Sequence, residues 1–387
     1  IHFSNYESSR TVFKLSLFYG KGFRQTMCMR APLEAYIHRI IQADGPIPFD
    51  RFMETALYHP EWGYYESDNT VIGCHGDFQT SVSVGAFFGE LLARQFWAWC
   101  ADDLNCQWLE CGAHHGQLAE DILQSLEKLE QGKDRKVQYL ILEPSPKRKA
   151  IQQERLKRFA PHVEWANDWE QVQTLFKQGV IFSNELLDAF PTKRFAWKKK
   201  TSCWQEYFVD SKQAEFQWKL LATDQGLPNT SIPIEEFQQL AKLLPDRYTI
   251  ERSPSAESWW QQAADHLKQG HLVTIDYGFT GLDKFAPQRT NGTLRTYDQH
   301  RVGDDLISNP GQKDITAHVD FPVLKIIGEG SGLKTENLTS QETFMNHCLE
   351  KALHQGLQPS PKQLAQFRTL MHPEHFGKAF KVLVQST

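Results

Sequence analysis

The chain changes its pattern of apolar and polar positions near residue 105. Before that point, apolar residues recur every three to four positions in three stretches, which is the period of a helix that buries one face. These stretches predict helices over Leu33–Gln42, Phe49–Tyr58 and Phe87–Cys100. After that point, short apolar runs alternate with longer amphipathic stretches, so strands and helices are expected to follow each other in turn.

This alternation predicts a parallel sheet covered by helices on both faces, because parallel strands need crossover connections. Strands are expected over 107–111, 137–143, 163–165, 179–183 and 271–277, with a closing strand at 380–385. Helices are expected over 117–129, 146–159, 255–269, 321–328 and 361–371. The predicted fold class is therefore α/β, with a mostly parallel, doubly wound sheet.

Residues 195–245 interrupt the alternation. Phe195–Val209 and Glu215–Leu221 have the pattern of antiparallel strands, with the three lysines at 198–200 in a turn, and Ile234–Leu244 has a helical period. We therefore expect a helical N-terminal region (31–105), an α/β core (106–194 and 246–387) and an inserted α+β cap (195–245) that covers the ligand edge of the sheet.

Composition and charge exclude several classes of protein. Hydrophobic residues make up 40% of the 387 residues and charged residues 23%, so the chain is not intrinsically disordered. No apolar run approaches the ~20 residues of a membrane-spanning helix. A net charge of −5 argues against a strongly basic nucleic-acid-binding protein. The seven cysteines lack CxxC or zinc-ligand spacing, so we expect reduced, buried thiols and no metal site.

Residues 1–30 carry five basic residues against the single acid Glu7. This serine-containing, acid-poor composition fits two interpretations: a leader or non-native extension with a natural start near Met29, or a mitochondrial transit peptide. The first is preferred, which makes the cytoplasm the expected compartment and the mitochondrial matrix the alternative.

Polar residues follow every predicted strand of the parallel sheet, where ligands bind in such folds. In chain order they are Glu110, Gly112, Gly116, Glu143, Asn167, Asp168, Asn184, Glu185, Asp188 and Asp276. The glycines of ECGAHHG let the backbone approach a ligand before a helix N-terminus, and Glu143 has the position of an acid that binds ribose hydroxyls. They indicate a nucleoside-containing cofactor without choosing NAD over S-adenosylmethionine.

The segment SNELLDAFP (183–191) places Asn184, Glu185 and Asp188 directly after the fourth strand. Methyl transfer to nitrogen needs an aligned nucleophile and relief of its positive charge, and carboxylates provide both. The alternative is structural, with Asn184 capping a helix and Glu185 in its first turn.

Many ordered motifs from residue 33 to the C-terminus resemble those of the MidA-like methyltransferases. They include GPIPFDRFMETALYHPEWGYY (45–65), GDFQTS (76–81), LECGAHHGQLAEDIL (109–123), LEPSPKRKAIQQERL (142–156), SNELLDAFP (183–191) and PGQKDITAHVDF (310–321). The resemblance implies a Rossmann-like class I methyltransferase fold with S-adenosylmethionine as cofactor. The cofactor-binding residues that it implies are Glu110, Gly112, Gly116 and Glu143, with Thr80 and Ser81 lining the same pocket. For the chemical step it implies Asn184, Glu185 and Asp188.

Mitochondrial members of that family are complex I assembly factors that dimethylate an arginine of a core subunit. The resemblance therefore implies a protein substrate, with an arginine guanidinium as the methyl acceptor. Asp276 and Tyr277 are expected to contact or orient the substrate, and Asp314 and His318 to lie behind the reacting groups. The sequence is also compatible with a homodimer.

The chain departs from the family pattern in two places. The loop that usually reads GPGRG is GAHHG here, with His114 at the middle glycine, and a segment that usually reads TSPEIS is TSVSVG. These departures keep a non-catalytic assembly factor open as an alternative to an enzyme. A small-molecule methyltransferase is a further alternative, whereas the missing GxGxxG argues against a nicotinamide oxidoreductase.

Overall fold

The computed structural model describes residues 32–66, 80–100, 105–223, 231–298 and 301–387. Within them the helices are α1 (Pro32–Asp44), α2 (Phe49–Tyr58), α3 (Phe87–Trp99), α4 (Gln117–Glu130), α5 (Pro146–Arg155), α6 (Trp169–Leu175), α7 (Ile234–Leu243), α8 (Pro254–His266), α9 (Phe321–Gly330), α10 (Gln341–His354) and α11 (Pro361–Leu370). The strands are β1 (Ile47–Pro48), β2 (Gln107–Cys111), β3 (Gln138–Leu142), β4 (Val163–Ala166), β5 (Gly179–Asn184), β6 (Lys193–Lys198), β7 (Cys203–Lys212), β8 (Glu215–Ala222), β9 (Thr249–Arg252), β10 (Gly270–Phe279), β11 (Arg295–Asp298), β12 (Arg301–Gly303), β13 (Asp314–Thr316), β14 (Val319–Asp320), β15 (Lys334–Ser340) and β16 (Phe380–Ser386).

The central sheet has the strand order β15-β16-β10-β5-β2-β3-β4. Strands β4, β3, β2, β5 and β10 are parallel, and β16 is antiparallel to both of its neighbours. All residues of β2, and all of β5 except the last, are buried, as expected for strands covered on both faces. The predicted α/β class and its parallel strands are confirmed.

Two helical layers cover this sheet. On one face α3, α4 and α10 pack around Trp108 and Phe182, and on the other α6, α8 and α9 pack around Leu109 and Ile181. Neighbouring residues of one strand thus pack into the hydrophobic cores on opposite faces of the sheet, because side chains alternate across a sheet.

Serine followed by proline sets the start of three helices. Ser145, Ser253 and Ser360 each accept a hydrogen bond from a backbone N–H in the first turn of α5, α8 and α11. The proline that follows each serine lacks only an N–H that the helix would leave unbonded.

A second, antiparallel sheet is inserted after β5. It joins β6, β7, β8 and β9, with β1 added beside β7. The strands inserted after β5 extend from Lys193 to Arg252. Lys198 ends β6, and Lys199–Thr201 form a short 3₁₀ turn between β6 and β7. Helices α1 and α2 pack on this sheet and on β13. The hydroxyl of Tyr58 on α2 donates to the carbonyl of Ala189 at 3.0 Å, which ties this layer to the loop after β5.

Some features differ from the sequence expectation. The prediction of reduced thiols is wrong for Cys100 and Cys106, which form a disulfide because the end of α3 brings their Cα atoms to 6.0 Å. Cys111 and Cys348 are buried thiols as expected, whereas Cys203 is exposed. None of the helices in the described ranges is long and apolar enough to cross a membrane.

Candidate active site

The candidate site lies where the strand order of the central sheet reverses. From β2 the order proceeds through β3 to β4, and from β5 it proceeds the other way to β10. The loops after β2 and β5 therefore leave a crevice at the carboxyl ends of the strands. Because the five strands are parallel, all the residues predicted to follow them share this edge.

The loop after β2 turns the chain into α4. Gly112 and Gly116 both have a φ of +79°, in the left-handed region that glycine adopts without strain. A Cβ at Gly112 would lie 2.8 Å from Cδ1 of Leu186, so the loops after β2 and β5 are in contact. Gly116 is the N-cap of the 14-residue helix α4, whose first amides favour a polar or anionic ligand group.

His114 occupies a strained position in the same loop, with a φ of +47°. Its carbonyl oxygen accepts a hydrogen bond from Nε2 of Gln152 at 2.9 Å, and its ring lies 3.9 Å from that of His115. Burial, helped by the charge of Arg148, lowers the pKa of His114 well below its usual value, so the imidazole is neutral at pH 7. Its Nε2 is buried without a hydrogen-bond partner.

Two buried glutamates end β2 and β3. Glu110 accepts a hydrogen bond from the Tyr139 hydroxyl at 2.6 Å, and burial raises its pKa to about 7. Glu143 accepts from the Ser145 backbone N–H at 2.9 Å and from Nε2 of Gln152 at 2.8 Å, and burial also raises its pKa. Gln152 thus orients both the loop after β2 and the carboxylate after β3.

Asn167 and Asp168 follow β4, and both are exposed. Oδ1 of Asp168 accepts the Gln171 backbone N–H at 2.8 Å, which makes Asp168 the N-cap of α6. Asn167 accepts a hydrogen bond from Nζ of Lys149 at 3.0 Å. Asp168 therefore has a structural role in the described residues, whereas the exposed Asn167 keeps its amide group available.

Glu185 begins the loop after β5 in another left-handed conformation, with a φ of +51°. Such strain in a non-glycine residue is concentrated at functional sites. Its Oε1 accepts hydrogen bonds from the Ser81 backbone N–H at 3.0 Å and from Nδ2 of Asn184 at 3.2 Å. Burial raises the pKa of Glu185 to about 8, and the charge of Asp188 adds to this shift. The structural alternative is wrong, because the turn at 187–189 has Leu186 as its N-cap and no side-chain cap.

Asp188 lies in that turn, and its carboxylate is buried. Its Oδ2 accepts a hydrogen bond from the Tyr277 hydroxyl at 2.6 Å, its Oδ1 is buried without a partner, and burial raises its pKa to about 6. Oδ2 of Asp276 accepts the backbone N–H groups of Leu187 at 2.9 Å and Asp188 at 3.3 Å. Of the two residues predicted for orientation, Tyr277 thus orients the carboxylate and Asp276 holds the turn.

The segment before α3 reaches the site through a backbone group. The amide of Ser81 bonds Glu185, while its buried hydroxyl donates to Oε1 of Gln341 at 3.2 Å. Oγ1 of Thr80 accepts the Ser83 N–H at 3.2 Å. Within the described residues the Ser81 side chain therefore bonds α10 and the Thr80 side chain bonds its own turn. Residues 76–79 of the predicted motif lie outside the described residues.

Two residues of this region, Tyr65 and Arg148, were not predicted from the sequence. The Tyr65 hydroxyl donates to Oδ1 of Asp314 at 2.9 Å, and Nη2 of Arg148 donates to the Tyr65 carbonyl at 2.7 Å. The motifs at 45–65 and 310–321 contain Tyr65 and Asp314, so pairing those two motifs in space was the available signal. His318 lies behind Tyr277, with ring centroids 5.5 Å apart, and burial lowers its pKa to about 4.

The crevice has the polar atoms that a nucleoside cofactor with a charged tail needs. In the described part of the chain, Nε2 of His114 and Oδ1 of Asn184 and Asp188 are buried without a partner. Each such atom costs about 1–3 kcal/mol unless a ligand bonds it. With the left-handed glycines and Glu143, these atoms fit such a cofactor. The described residues contain no cluster of His, Cys, Asp and Glu able to hold a metal ion.

Comparisons with known proteins agree with this geometry. Residues 91–339 match the model of a family of S-adenosyl-L-methionine-dependent methyltransferases. The chain is 28% identical to the mitochondrial protein arginine methyltransferase NDUFAF7 of Xenopus tropicalis, over 88% of this chain and 82% of the relative. It is 27% identical to that of Homo sapiens, over 90% and 82%. A crystal structure of a Burkholderia thailandensis protein bound to S-adenosyl-homocysteine superposes with a TM-score of 0.78 and 28% identity, over 92% of both chains.

Proposed function

Since this chain belongs to the family of S-adenosyl-L-methionine-dependent methyltransferases, we propose that it methylates an arginine side chain of a protein. The predicted family, cofactor and class I methyltransferase fold are confirmed by the family model and by the superposed structure. The acceptor is inferred from relatives named protein arginine methyltransferases. The observation that carries it is the pair of buried carboxylates after β5.

The cofactor is assigned to the residues that follow β2, β3 and β4. Because Gly112 and Gly116 lack side chains, the cofactor can approach the backbone and the N-terminus of α4. The buried carboxylate of Glu110 bonds the polar tail of the cofactor. Glu143 accepts the ribose hydroxyls, because Ser145 and Gln152 hold both of its oxygens in place. Asn167 contacts the cofactor, with Asp168 fixing the turn, while Thr80 and Ser81 close the pocket beside Glu185.

The acceptor is assigned to the residues that follow β5. A guanidinium is fully protonated, so its nitrogen is a poor nucleophile until carboxylates bond its N–H groups and localise electron density on the attacking nitrogen. Glu185 and the free Oδ1 of Asp188 provide two such acceptors, and Asn184 holds the first of them. The cofactor supplies an electrophilic methyl group, so a C–S bond breaks as the N–C bond forms. The nitrogen then loses one proton to Glu185. Burial raises the pKa of Glu185 to about 8 in the free protein, and the charge of the bound guanidinium opposes this shift, so that the carboxylate is ionised and able to accept the proton.

Paired substitutions test this assignment. Glu185→Ala and Asp188→Ala should each lower methyl transfer from labelled S-adenosylmethionine to a mitochondrial protein extract by about 100-fold or more, while S-adenosylhomocysteine binding stays measurable. Glu206→Gln is the matched control, because Glu206 is also a buried acid but bonds Nζ of Lys193 at 2.8 Å in the inserted sheet. Full transfer by both alanine variants would remove the catalytic assignment, and no transfer by the wild-type protein would favour a non-catalytic assembly factor.

The same relatives support a mitochondrial location. Both are named as mitochondrial proteins, and residues 1–30 have the basic, acid-poor composition of a transit peptide. A fluorescent protein carrying residues 1–31 should therefore enter mitochondria. Diffuse fluorescence in the cytosol would favour the cytoplasmic location instead.

A further inference from the structure

Four tyrosines from four separate elements surround two carboxylates beside the crevice. This acceptor cluster consists of Tyr58 on α2, Tyr65 in the 3₁₀ turn 64–66, Tyr277 on β10, Tyr297 on β11, Asp188 and Asp314. The hydroxyls of Tyr277 and Tyr65 donate to Asp188 at 2.6 Å and to Asp314 at 2.9 Å. The ring centroids of Tyr58 and Tyr65 are 5.4 Å apart. Each acid thus accepts a tyrosine hydroxyl, and Tyr58 packs against the tyrosine that bonds Asp314.

The charges of both carboxylates also act on the other two tyrosines. Burial raises the pKa of Tyr58 and of Tyr297, and the charges of Asp188 and Asp314 raise both further. Charges act on each other strongly only at short range or where water is excluded. Oδ1 of Asp188 is buried here without a partner, so the cluster contains an acceptor atom that the described protein does not use.

We propose that the acceptor cluster selects a guanidinium over an ammonium group, and that Tyr65 and Asp314 are specificity-determining residues. This inference rests on the proposed arginine methylation and adds the residues that choose the acceptor. A guanidinium is planar and weakly hydrated, stacks on aromatic faces and donates to carboxylates as a fork, whereas an ammonium is compact and strongly hydrated.

Arg148 provides an example of a guanidinium beside this cluster. Its guanidinium carbon lies 5.1 Å from the centroid of the Tyr65 ring, and its Nη2 donates to the Tyr65 carbonyl. One guanidinium thus already stacks on a wall of the cluster. The acceptor is expected to use the remaining aromatic faces and to donate to Oδ1 of Asp188, while Asp314 holds the Tyr65 hydroxyl in place.

Small cations measure this selectivity directly. The protein saturated with S-adenosylhomocysteine is titrated with butylguanidinium and with butylammonium, and binding is followed by NMR. Wild-type protein should bind butylguanidinium at least about tenfold more tightly. Tyr65→Phe and Asp314→Asn should each reduce that ratio to about threefold or less. Tyr297→Phe should also reduce it and is the variant to use if Asp314→Asn does not fold, because Tyr297 is half-buried.

Tyr248→Phe is the matched control. Its hydroxyl donates to the carbonyls of Lys284 and Ala286, both at 3.0 Å, within the core of the inserted sheet, so the variant should keep the full selectivity. Equal binding of the two cations, or unchanged selectivity in Tyr65→Phe and Tyr297→Phe, overturns the proposal. The labelled-methyl assay is read separately. Arginine methylated without cation selectivity refutes only the cluster, whereas selectivity without methylarginine refutes only the proposed function.

Discussion

Replacing Glu143 by glutamine should weaken cofactor binding. Glu143 is 4% exposed, and its oxygens accept the N–H groups of Ser145 and Gln152 at 2.9 and 2.8 Å. A glutamine turns its own NH₂ group towards one of these donors, so the side chain must rotate away from the ribose. Losing one hydrogen bond to a charged group costs about 1.5–3 kcal/mol. The dissociation constant should therefore rise about 10- to 150-fold.

Calorimetric titration of S-adenosylhomocysteine measures this change. Glu130→Gln is the matched control, because Glu130 is also buried, accepts the Val137 backbone N–H at 2.7 Å and lies at the other end of β3. The control should lower the melting temperature and leave the dissociation constant within about twofold. The ribose assignment is refuted if Glu143→Gln binds within about twofold of wild type, or if both variants lose affinity equally.

Three further predictions concern the two loops. Asp276→Ala leaves the two buried amides of the turn after β5 without an acceptor. Urea unfolding should therefore show that the free energy of unfolding falls by about 3–5 kcal/mol. Asp276→Asn should lose less stability, and an alanine variant as stable as wild type would contradict the assigned role. Burial raises the pKa of Glu185 from 4.5 to about 8, so the folded protein binds this proton more tightly than the unfolded chain and the free energy of unfolding should fall as pH rises between these values. Glu185→Gln should make this fall measurably shallower in denaturant titrations, and an unchanged slope would count against the shift. His114→Gly should stabilise the protein by about 1 kcal/mol, because glycine tolerates the left-handed φ of this position; a lower melting temperature would mean that the imidazole contributes more than the strain costs.

The central sheet was predictable because its strands are short apolar runs that alternate with longer amphipathic stretches. The observed bounds of β2 and β5 lie within one residue of the predicted bounds, and those of α2 are the same as predicted. β15 was missed because its sequence, KTENLTS, is mostly polar; pairing with the apolar β16 places it in the sheet. The β9 strand was missed because it has only four residues and two of them, Glu251 and Arg252, are charged.

The site was predictable only in part, for a related physical reason. Residues directly after parallel strands must meet at one edge, and so Glu110, Glu143 and Glu185 could be grouped from sequence alone. The contacts that orient them come from elsewhere: the Tyr139 hydroxyl lies inside a strand, and the Ser81 amide precedes α3 by several residues. Periodicity contains no information about such long-range hydrogen bonds.

Identification of the methylated amino acid is the decisive test of the proposed arginine methylation. The protein and methyl-labelled S-adenosylmethionine are incubated with a mitochondrial protein extract, and the extract is hydrolysed for amino acid analysis by mass spectrometry. The account predicts label in methylated arginine that disappears with Glu185→Ala. Label in methyl-lysine or in a small molecule, or methylarginine that persists in that variant, would contradict it.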